Sequence, residues 1–509
     1  MPIKRLLRFF LLFLITSFSA KAQEEQFELV FPLIDDSGLS ADGKLKNGLR
    51  DGLWTSYDAD SSFVQVGRYS NGLKEGAWIL FIEKVEKARM LYVNDTLNGP
   101  YVLFHPNRRI AVNANFEKGQ LDGEWVSYRI NGSKLDDGKF DQGNKTGTWL
   151  TLHPNGQRAI TANYKNNKLD GPYQQFDEFG AKLLETSYKN GLLNGDWMKY
   201  DYYVEMPIES GEMTMGNRDG RWEYFNAPGN TSAIEYYDNG KKVGQWKAYH
   251  FNGQIASAIN YEDDKPVGTA YDYFEDGKTA SITHFRLGLP DSVYIENFPN
   301  GAKALEGMYD LGIKTGIWKF FHENGMISHF GLYAANFKTD NWKYFDDRGN
   351  LIAEGEFKND KETGQWYYYY ASGQLESIGA FKEGDKDGLW GYFHKNGSFM
   401  KEETWSEGKL LEITDYTDED GNVRENGTLT KGDGLLINYR PDGEKFSEGN
   451  YVNGYPDGKW VFYDEKGRKL TEGTLTEGVK DGIWLIFSRS GSVIERERYL
   501  KGEIQEQRE

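Results

Sequence analysis

Aromatic, glycine and polar positions recur along this chain with a period of about 24 residues. Within Asn359–Gly397, Trp366 and Trp390 each have a glycine two residues before them, an aromatic residue three after and a glycine seven after. Because unrelated packing needs would not place tryptophan in one phase, the pattern predicts a repeat array. The period gives 19 anchor positions, and 13 of them hold tryptophan: Trp54, Trp78, Trp125, Trp149, Trp197, Trp222, Trp246, Trp318, Trp342, Trp366, Trp390, Trp460 and Trp484. The other six are Tyr101, Tyr173, Ala270, Tyr294, Thr414 and Leu436.

Each unit is predicted to be a β-hairpin. The anchor opens an aromatic-rich run such as Trp318–Phe321, and aromatic residues bounded by glycine are typical of strands. A polar turn such as Asn324-Gly325 follows, where glycine permits positive φ in a tight hairpin. The second strand carries a Gly-x-aromatic step, and we expect a tryptophan of the adjacent strand to lie over that glycine.

The predicted fold is therefore all-β, an elongated antiparallel array of about 19 hairpins of 24 residues. Two strands per hairpin at about 4.8 Å each would extend roughly 180 Å before curling. Most units also have Tyr or Phe three residues after the anchor, which is the opposite face of a regular strand. Either both faces are partly covered, or a bulge realigns this residue.

The N-terminal residues 1–22 have the features of an export signal. Basic residues precede the apolar run Phe9–Phe18, and Ala20-Lys21-Ala22 is a small-residue cleavage site. The run is too short to span a bilayer, which takes about 20 residues. We therefore expect an exported protein in the periplasm, on the outer surface or secreted. Residues 23–42 follow as a lead-in or cap, with Phe27–Phe31 as a candidate cap strand.

The array is predicted to cover residues 43–400 and 435–502, with a tail at 503–509. Between them, residues 401–434 form a degenerate repeat, because Thr414 stands at the anchor and Thr417 three residues later. Loss of both aromatic rings removes buried apolar area, and clustered acidic residues repel one another: Asp415, Asp418, Glu419 and Asp420. The segment is therefore predicted to be a hinge, or the joint of lowest stability.

The composition narrows the classes of partner. The formal charge is −18, and it becomes −22 when Lys4, Arg5, Arg8 and Lys21 are removed with the signal. Such a surface disfavours nucleic acid and anionic membranes, which bind clustered Lys and Arg. The chain has no cysteine, so neither disulfides nor lipidation of an N-terminal cysteine can occur. Aromatic residues make up 15% of the chain, and the buried surface is expected to be mostly Trp, Tyr and Phe.

Candidate catalytic and metal-binding residues have structural explanations. Five histidines stand four residues after an anchor and are interpreted as turn residues: His105, His153, His250, His322 and His394. His284 and His329 are isolated and lack the spacing of a metal site. Acidic residues before turn glycines suit tight turns, although a row of them could hold calcium weakly: Asp51, Glu75, Asp122, Asp219, Asp387 and Asp481. Asp418–Asn422 lacks the spacing of an EF-hand loop. We expect no enzyme activity, metal or cofactor.

The repeat motif is Gly-x-Trp-x-x-[Tyr/Phe], then Asn-Gly, then [Tyr/Phe]-x-x-Gly. It resembles the MORN repeat variant of many bacterial proteins, including the YwqK-type antitoxin family. The resemblance covers nearly the whole chain after the signal, and it implies an interaction scaffold without naming the partner. For some members it also implies membrane association, and an antitoxin role would require the cytosol.

Two classes of function remain at this point. One is a non-enzymatic scaffold that binds another protein of the envelope or cell surface. The other is a glycan- or small-ligand-binding array with exposed aromatic walls, for which the tyrosine run Tyr367, Tyr368, Tyr369 and Tyr370 is the candidate patch. An antitoxin-like inhibitor or membrane-associated protein is a further alternative by resemblance. Burial of the anchor rings would favour the scaffold, and a line of exposed rings would favour the ligand-binding array.

Overall fold

A computed structural model describes residues 39–59, 61–204 and 206–505. The export signal, the cap strand and the end of the tail lie outside these residues. The described part of the chain contains β-strands and turns and no helix. The prediction of an all-β hairpin array is confirmed. The chain divides after Lys168 into two compact units.

The strands of the N-terminal unit follow one another at short intervals. They are β1 (Ser40–Lys46), β2 (Leu49–Tyr57), β3 (Phe63–Ser70), β4 (Leu73–Ile82), β5 (Val85–Val93), β6 (Thr96–Phe104), β7 (Ile110–Glu117), β8 (Gln120–Leu121), β9 (Gly123–Tyr128), β10 (Lys134–Asp141), β11 (Asn144–Leu152) and β12 (Arg158–Lys165).

The C-terminal unit continues the same pattern to the end of the chain. Its strands are β13 (Lys168–Phe176), β14 (Lys182–Lys189), β15 (Leu192–Leu193), β16 (Gly195–Tyr200), β17 (Pro207–Thr214), β18 (Asn217–Ala227), β19 (Asn230–Asp238), β20 (Lys241–Lys242), β21 (Gly244–Tyr249), β22 (Ile255–Glu262), β23 (Lys265–Tyr273), β24 (Thr279–Arg286), β25 (Leu289–Asn297), β26 (Lys303–Asp310), β27 (Ile313–Phe321), β28 (Ile327–Ala334), β29 (Phe337–Phe345), β30 (Leu351–Lys358), β31 (Lys361–Tyr369), β32 (Leu375–Lys382), β33 (Asp385–Phe393), β34 (Phe399–Ser406), β35 (Lys409–Ile413), β36 (Tyr416–Thr417), β37 (Val423–Arg424), β38 (Gly434–Tyr439), β39 (Lys445–Val452), β40 (Tyr455–Tyr463), β41 (Lys469–Thr476), β42 (Val479–Phe487), β43 (Val493–Leu500) and β44 (Glu503–Gln505).

Successive strands pair antiparallel through two kinds of turn that alternate along each unit. The turn between repeats has two residues with positive φ, as at Asn359 (φ 52) and Asp360 (φ 67), which Asn and Asp tolerate. The Asn-Gly turn within a repeat is a five-residue connection rather than a two-residue hairpin. In His153–Gln157 the backbone N–H of Gly156 donates to the carbonyl of His153, and Gly156 has φ 89.

A bulge in the anchor strand places each tryptophan ring. Gly355 pairs with Trp366 while Glu356 pairs with Thr363, so Gly364 and its neighbour are extra residues on β31. Gly364 has φ 62, which explains the glycine two residues before the anchor. The indole N–H of Trp366 then donates to the carbonyl of Glu356 at 3.1 Å.

The expectation that tryptophan lies over the second-strand glycine is confirmed. A Cβ atom added to Gly355 would lie 2.2 Å from Cδ2 of Trp366, so only glycine fits beneath the ring. Ten glycines are covered by the tryptophan eleven residues later: Gly43, Gly67, Gly138, Gly211, Gly307, Gly331, Gly355, Gly379, Gly449 and Gly473. We call the side of the sheet that carries these rings the tryptophan face.

The aromatic residue three after the anchor lies on the opposite face. Phe345 stacks on Phe330 with ring centroids 6.0 Å apart, and Phe330 directly precedes the glycine beneath Trp342. A second bulge is also present, but it lies in the return strand: Phe320 pairs with His329 and Phe321 with Ile327. The first explanation considered from the sequence therefore applies, because the residue stays on the opposite face, which is partly covered, and the bulge of the return strand does not realign it.

The sheet is interrupted within residues 401–434. The ladder that includes β34 ends at β35, β36 and β37 pair only with each other, and a new seven-stranded sheet begins at β38. Aliphatic side chains of this region replace the missing rings, because Leu410, Leu429 and Leu436 pack with Trp460 in one buried cluster. The backbone N–H of Leu410 also donates to the carbonyl of Gly454 at 3.1 Å. The hinge within this segment stays a prediction.

Candidate functional site

The anchor tryptophans pack against the sheet and stabilise it. Twelve of the 13 are buried, with exposed fractions from 0% to 7%, and Trp197 is half-buried. Between Tyr309 and Trp390 the rings alternate with second-strand aromatics in edge-to-face contacts, with centroids 5.1–5.9 Å apart. Edge-to-face pairs of this kind stabilise beyond their buried area. The tryptophans are therefore structural residues and offer no open wall to a ligand.

A cation covers the outer side of most tryptophan rings. It stands four residues before the anchor, and its charged end lies 3.9–4.8 Å from the ring centroid in nine repeats: Arg50, Lys74, Lys145, Arg218, Lys242, Lys314, Lys338, Lys386 and Lys480. Burial lowers the pKa of Lys338 and of Lys386. This row was not predicted from the sequence, although the fixed spacing of Lys and Arg to tryptophan was a visible signal.

The recurrent histidines link neighbouring repeats. Nε2–H of His322 donates to the carbonyl of Phe345, 23 residues later, at 3.0 Å. The same bond is made by His105, His250 and His394. In the repeat of Trp366, tyrosine replaces histidine four residues after the anchor, and the hydroxyl of Tyr370 donates to the carbonyl of Phe393 at 2.9 Å. These contacts agree with the interpretation of the histidines as turn residues.

The isolated histidines are paired with hydroxyl groups. Nδ1 of His284 lies 2.9 Å from Oγ1 of Thr269, and Nδ1 of His329 lies 2.8 Å from Oγ of Ser328. The ring of His329 is stacked between Phe320 and Tyr344. Burial, followed by the charges of Lys338 and His322, lowers the pKa of His329 to about 4.

The acidic residues that precede the turn glycines accept a backbone hydrogen bond from the next turn along the same edge of the sheet. The carboxylate of Asp387 accepts the backbone N–H of Glu407 at 3.1 Å. Glu75, Asp122, Asp219 and Asp481 accept a backbone N–H in the same way. Within the described residues no group of three or more acidic or histidine side chains could hold a metal ion. The capping role accounts for the acidic row.

The tyrosine run predicted as a binding patch does not lie on one face. Tyr368 packs on the tryptophan face, with its ring centroid 6.0 Å from Trp366. Tyr367 and Tyr369 point the other way, and the hydroxyl of Tyr369 donates to Glu354 at 2.9 Å. Tyr370 lies in the turn, and all four rings are half-buried.

The opposite face exposes apolar side chains directly before several anchors. They are Leu53, Val293, Ile317, Leu389 and Ile483, which are 43–62% exposed. Around β25–β28 their cross-strand partners are apolar: Val293 pairs with Met308, Ile317 pairs with Leu332, and Sδ of Met308 lies beside Gly316. The cross-strand partners of Leu53, Leu389 and Ile483 are instead Arg68, Thr404 and Arg498. We call Val293, Met308, Ile317 and Leu332 the apolar strip.

A second exposed set lies on the edge formed by the five-residue turns. Phe179, Tyr203 and Phe251 are 74–87% exposed. They belong to the turns of three repeats in the C-terminal unit. Sequence reasoning missed both exposed sets, since exposure at one repeat position depends on neighbours in the folded sheet. Among the described residues no helix is long and apolar enough to cross a bilayer.

Comparison with known families supports the repeat assignment. The profile of the MORN repeat variant matches residues 145–166, 242–263, 314–328, 341–359 and 362–383. Each segment contains one tryptophan anchor, so the matched repeats have the phase that the sequence predicts. No curated protein matches the chain.

Among the similar solved structures are chains of a Tc holotoxin pore and of TcdB2-TccC3-Cdc42. A pore structure of the Photorhabdus luminescens Tc holotoxin with a TccC3 mutation matches at 12% identity over 87% of this chain and 23% of that chain, with a TM-score of 0.14. The complex TcdB2-TccC3-Cdc42 matches at 10% identity over 87% of this chain and 27% of that chain, with a TM-score of 0.12. This chain spans about a quarter of the length of those chains. At such TM-scores the likeness has no bearing on function.

Proposed function

We propose that this chain is a non-enzymatic, exported repeat scaffold that binds another protein at the cell envelope or surface. The observation that carries the proposal is the apolar strip, where Val293, Met308 and Ile317 remain 43%, 47% and 56% exposed on a rigid sheet. Contiguous exposed apolar side chains on a folded protein mark interaction surfaces. The repeats make the sheet rigid, because ring packing, cation–π contacts and hydrogen bonds at the turns connect neighbouring hairpins.

The strip suits a protein partner. It lies on strands whose backbone hydrogen bonds are already made, so binding would order few new residues and cost little conformational entropy. Half-buried Leu332 extends the exposed side chains into a continuous apolar surface, which a partner could cover with apolar side chains of its own.

Capture of binding proteins by the mature chain and by two matched variants tests the proposal. The mature chain is cross-linked in envelope and surface extracts, and captured proteins are identified by mass spectrometry. Ile317→Glu should weaken capture of the specific partner by about tenfold or more, because it buries an unpaired charge in the interface. Leu389→Glu is the control, since Leu389 has the same repeat position and 59% exposure but pairs with Thr404. Equal loss with both variants, or none with Ile317→Glu, would contradict the proposal.

Export belongs to the same proposal. Cleavage after Ala22 would leave Gln23 as the N-terminus of the mature chain. Intact-mass measurement of the natively produced protein checks this, and retention of residues 1–22 would refute it.

A glycan-binding role is the second candidate, and the exposed turn rings favour it. Phe179, Tyr203 and Phe251 offer aromatic faces that the anchor tryptophans do not. Binding of cell-wall glycan fragments that is lost in Phe179→Ser and kept in Ile317→Glu would support this role. The antitoxin-like and membrane-associated alternatives rest on the family resemblance alone.

A further inference from the structure

A cleft with a volume of about 790 Å³ opens on the tryptophan face of the seven-stranded C-terminal sheet, β38–β44. Phe462, Thr471 and Trp484 lie in it: Phe462 is paired with Thr471 in register, and its ring centroid is 6.0 Å from that of Trp484. Binding pockets in proteins commonly have volumes of about 300–1,000 Å³ and largely apolar walls. The cleft is therefore large enough to receive several side chains of a ligand.

Two large apolar side chains are exposed in the cleft because they occupy bulges. The pairing registers pass over Phe446 on β39 and Leu470 on β41, so each is the extra residue of its strand. Phe446 is 45% exposed and Leu470 is 47% exposed, although the ring of Phe446 contacts Phe462 edge to face, with centroids 6.2 Å apart. Several other repeats have a small residue at this position, such as Ala256 and Ala304. Apolar area thus remains uncovered inside the cleft.

Positive charge is concentrated around these apolar side chains. Five residues that line the cleft are basic: Arg440, Lys466, Arg468, Lys480 and Arg489. Two are acidic, Asp464 and Glu465. Arg440 donates to backbone carbonyls of the next repeat, and Arg468 forms an ion pair with Asp464 at 2.7 Å. Lys466 and Arg489 are exposed and have no ion-pair partner in the part of the chain that the structure describes, so both are available to an anion.

We infer that this cleft binds an extended acidic segment of a partner protein, with an apolar side chain of that segment against Phe446 and Leu470. Lys466 and Arg489 belong to neighbouring five-residue turns that are two strands apart, which is about 10 Å at the usual strand spacing. Alternate side chains of an extended segment share a face and are about 7 Å apart, so long basic side chains on both turns can reach two carboxylates of one segment. Charge-assisted hydrogen bonds of this kind are stronger than neutral ones.

The overall charge makes the cleft an exception on this surface. The formal charge of −18 disfavours acidic partners elsewhere, and the local excess of basic residues directs them to the cleft. The cleft is separate from the apolar strip, which lies on the opposite face around β25–β28. Binding at the cleft is therefore independent of binding at the apolar strip.

Fluorescence anisotropy of a labelled peptide measures this binding to the mature chain. In the peptide, one phenylalanine and two glutamates stand at alternate positions, separated by serine. Affinity should fall about tenfold or more when both glutamates are replaced by glutamine, because the charge-assisted bonds are lost. The pair Lys466→Glu with Arg489→Glu should weaken binding about tenfold or more through repulsion, and Leu470→Ser about threefold or more through loss of apolar contact.

The matched control makes the same change of charge outside the cleft. Arg498 and Lys501 are exposed and do not line it, so Arg498→Glu with Lys501→Glu should keep the affinity within about twofold. Absence of saturable peptide binding, equal weakening by the two pairs, or equal binding of the glutamine peptide would overturn the inference. So would binding of anionic lipid vesicles at the cleft without binding of the peptide. Ile317→Glu should bind the peptide as the wild type does, so failure at the cleft and failure at the apolar strip are distinguishable.

Discussion

Packing of the Trp366 ring on Gly355 leaves no room for one added methyl group. A methyl group on Gly355 would lie 2.2 Å from the ring of Trp366, whereas one on Gly391 would meet nothing nearer than 3.6 Å. Gly355→Ala should therefore destabilise the fold by about 1–3 kcal/mol, as overpacking does. Gly391→Ala, the control, should leave stability unchanged or raise it slightly. Thermal unfolding measures both variants, and equal effects would contradict the packing argument.

Stacking of His329 between two rings makes local stability depend on pH. Its ring is 4.3 Å from Phe320 and 5.5 Å from Tyr344, between centroids. Burial, with smaller effects of Lys338 and His322, lowers its pKa to about 4, below the ordinary value of 6.5. The unfolded chain therefore binds the proton first, so stability is lost as pH falls from about 6.5 to about 4. His329→Phe should lose less stability than the wild type over this window, and parallel curves of melting temperature against pH would contradict this.

Sequence reasoning reached the tryptophan–glycine contact because both residues recur at fixed spacing. The glycine before the anchor was visible too, but its bulge was not, because a bulge is defined by pairing register. The tyrosine run shows the same limit: four consecutive aromatic residues predict a patch, yet alternation along β31 separates Tyr368 from Tyr367 and Tyr369.

At the scale of elements, both edges of the sheet are tied between neighbouring repeats. On one edge the side-chain amide of Asn324 donates to the carbonyl of Asp347 at 2.6 Å. On the other, the carboxylate of Asp360 accepts the backbone N–H of Lys338 at 2.7 Å. Each hairpin is thus held by the hairpins beside it through rings, cations and turns.

The segment 401–434 lacks part of this arrangement. The ladder stops after β35, and Asp420–Glu425 are exposed, while the Leu410 cluster holds the flanking strands. Limited proteolysis should cut first within residues 401–434, because exposed turns with short ladders open most readily. Initial cuts elsewhere, or spread evenly along the array, would show that the aliphatic cluster has made this joint as stable as the regular repeats.

At the scale of the whole molecule, buried residues form separate clusters within each compact unit. The N-terminal unit has one cluster around Trp78 and another around Trp125, and the C-terminal unit has clusters around Trp342 and Trp460. Contacts between neighbours dominate, as in other repeat arrays. The division after Lys168 had no signal in the sequence, since the 24-residue phase continues from Trp149 to Tyr173.

The tryptophans act as local structural anchors and leave other surfaces for binding. Hydrogen exchange of the Trp366→Ala variant distinguishes such local packing from a single cooperative core. Removal of this buried ring should cost about 3–5 kcal/mol, as other large-to-small aromatic substitutions in packed cores do. Exchange should rise in β29–β33 and stay unchanged near Trp484 and Trp78, because each repeat depends on its neighbours. An equal rise near Trp78 would show a single cooperative core and contradict the account.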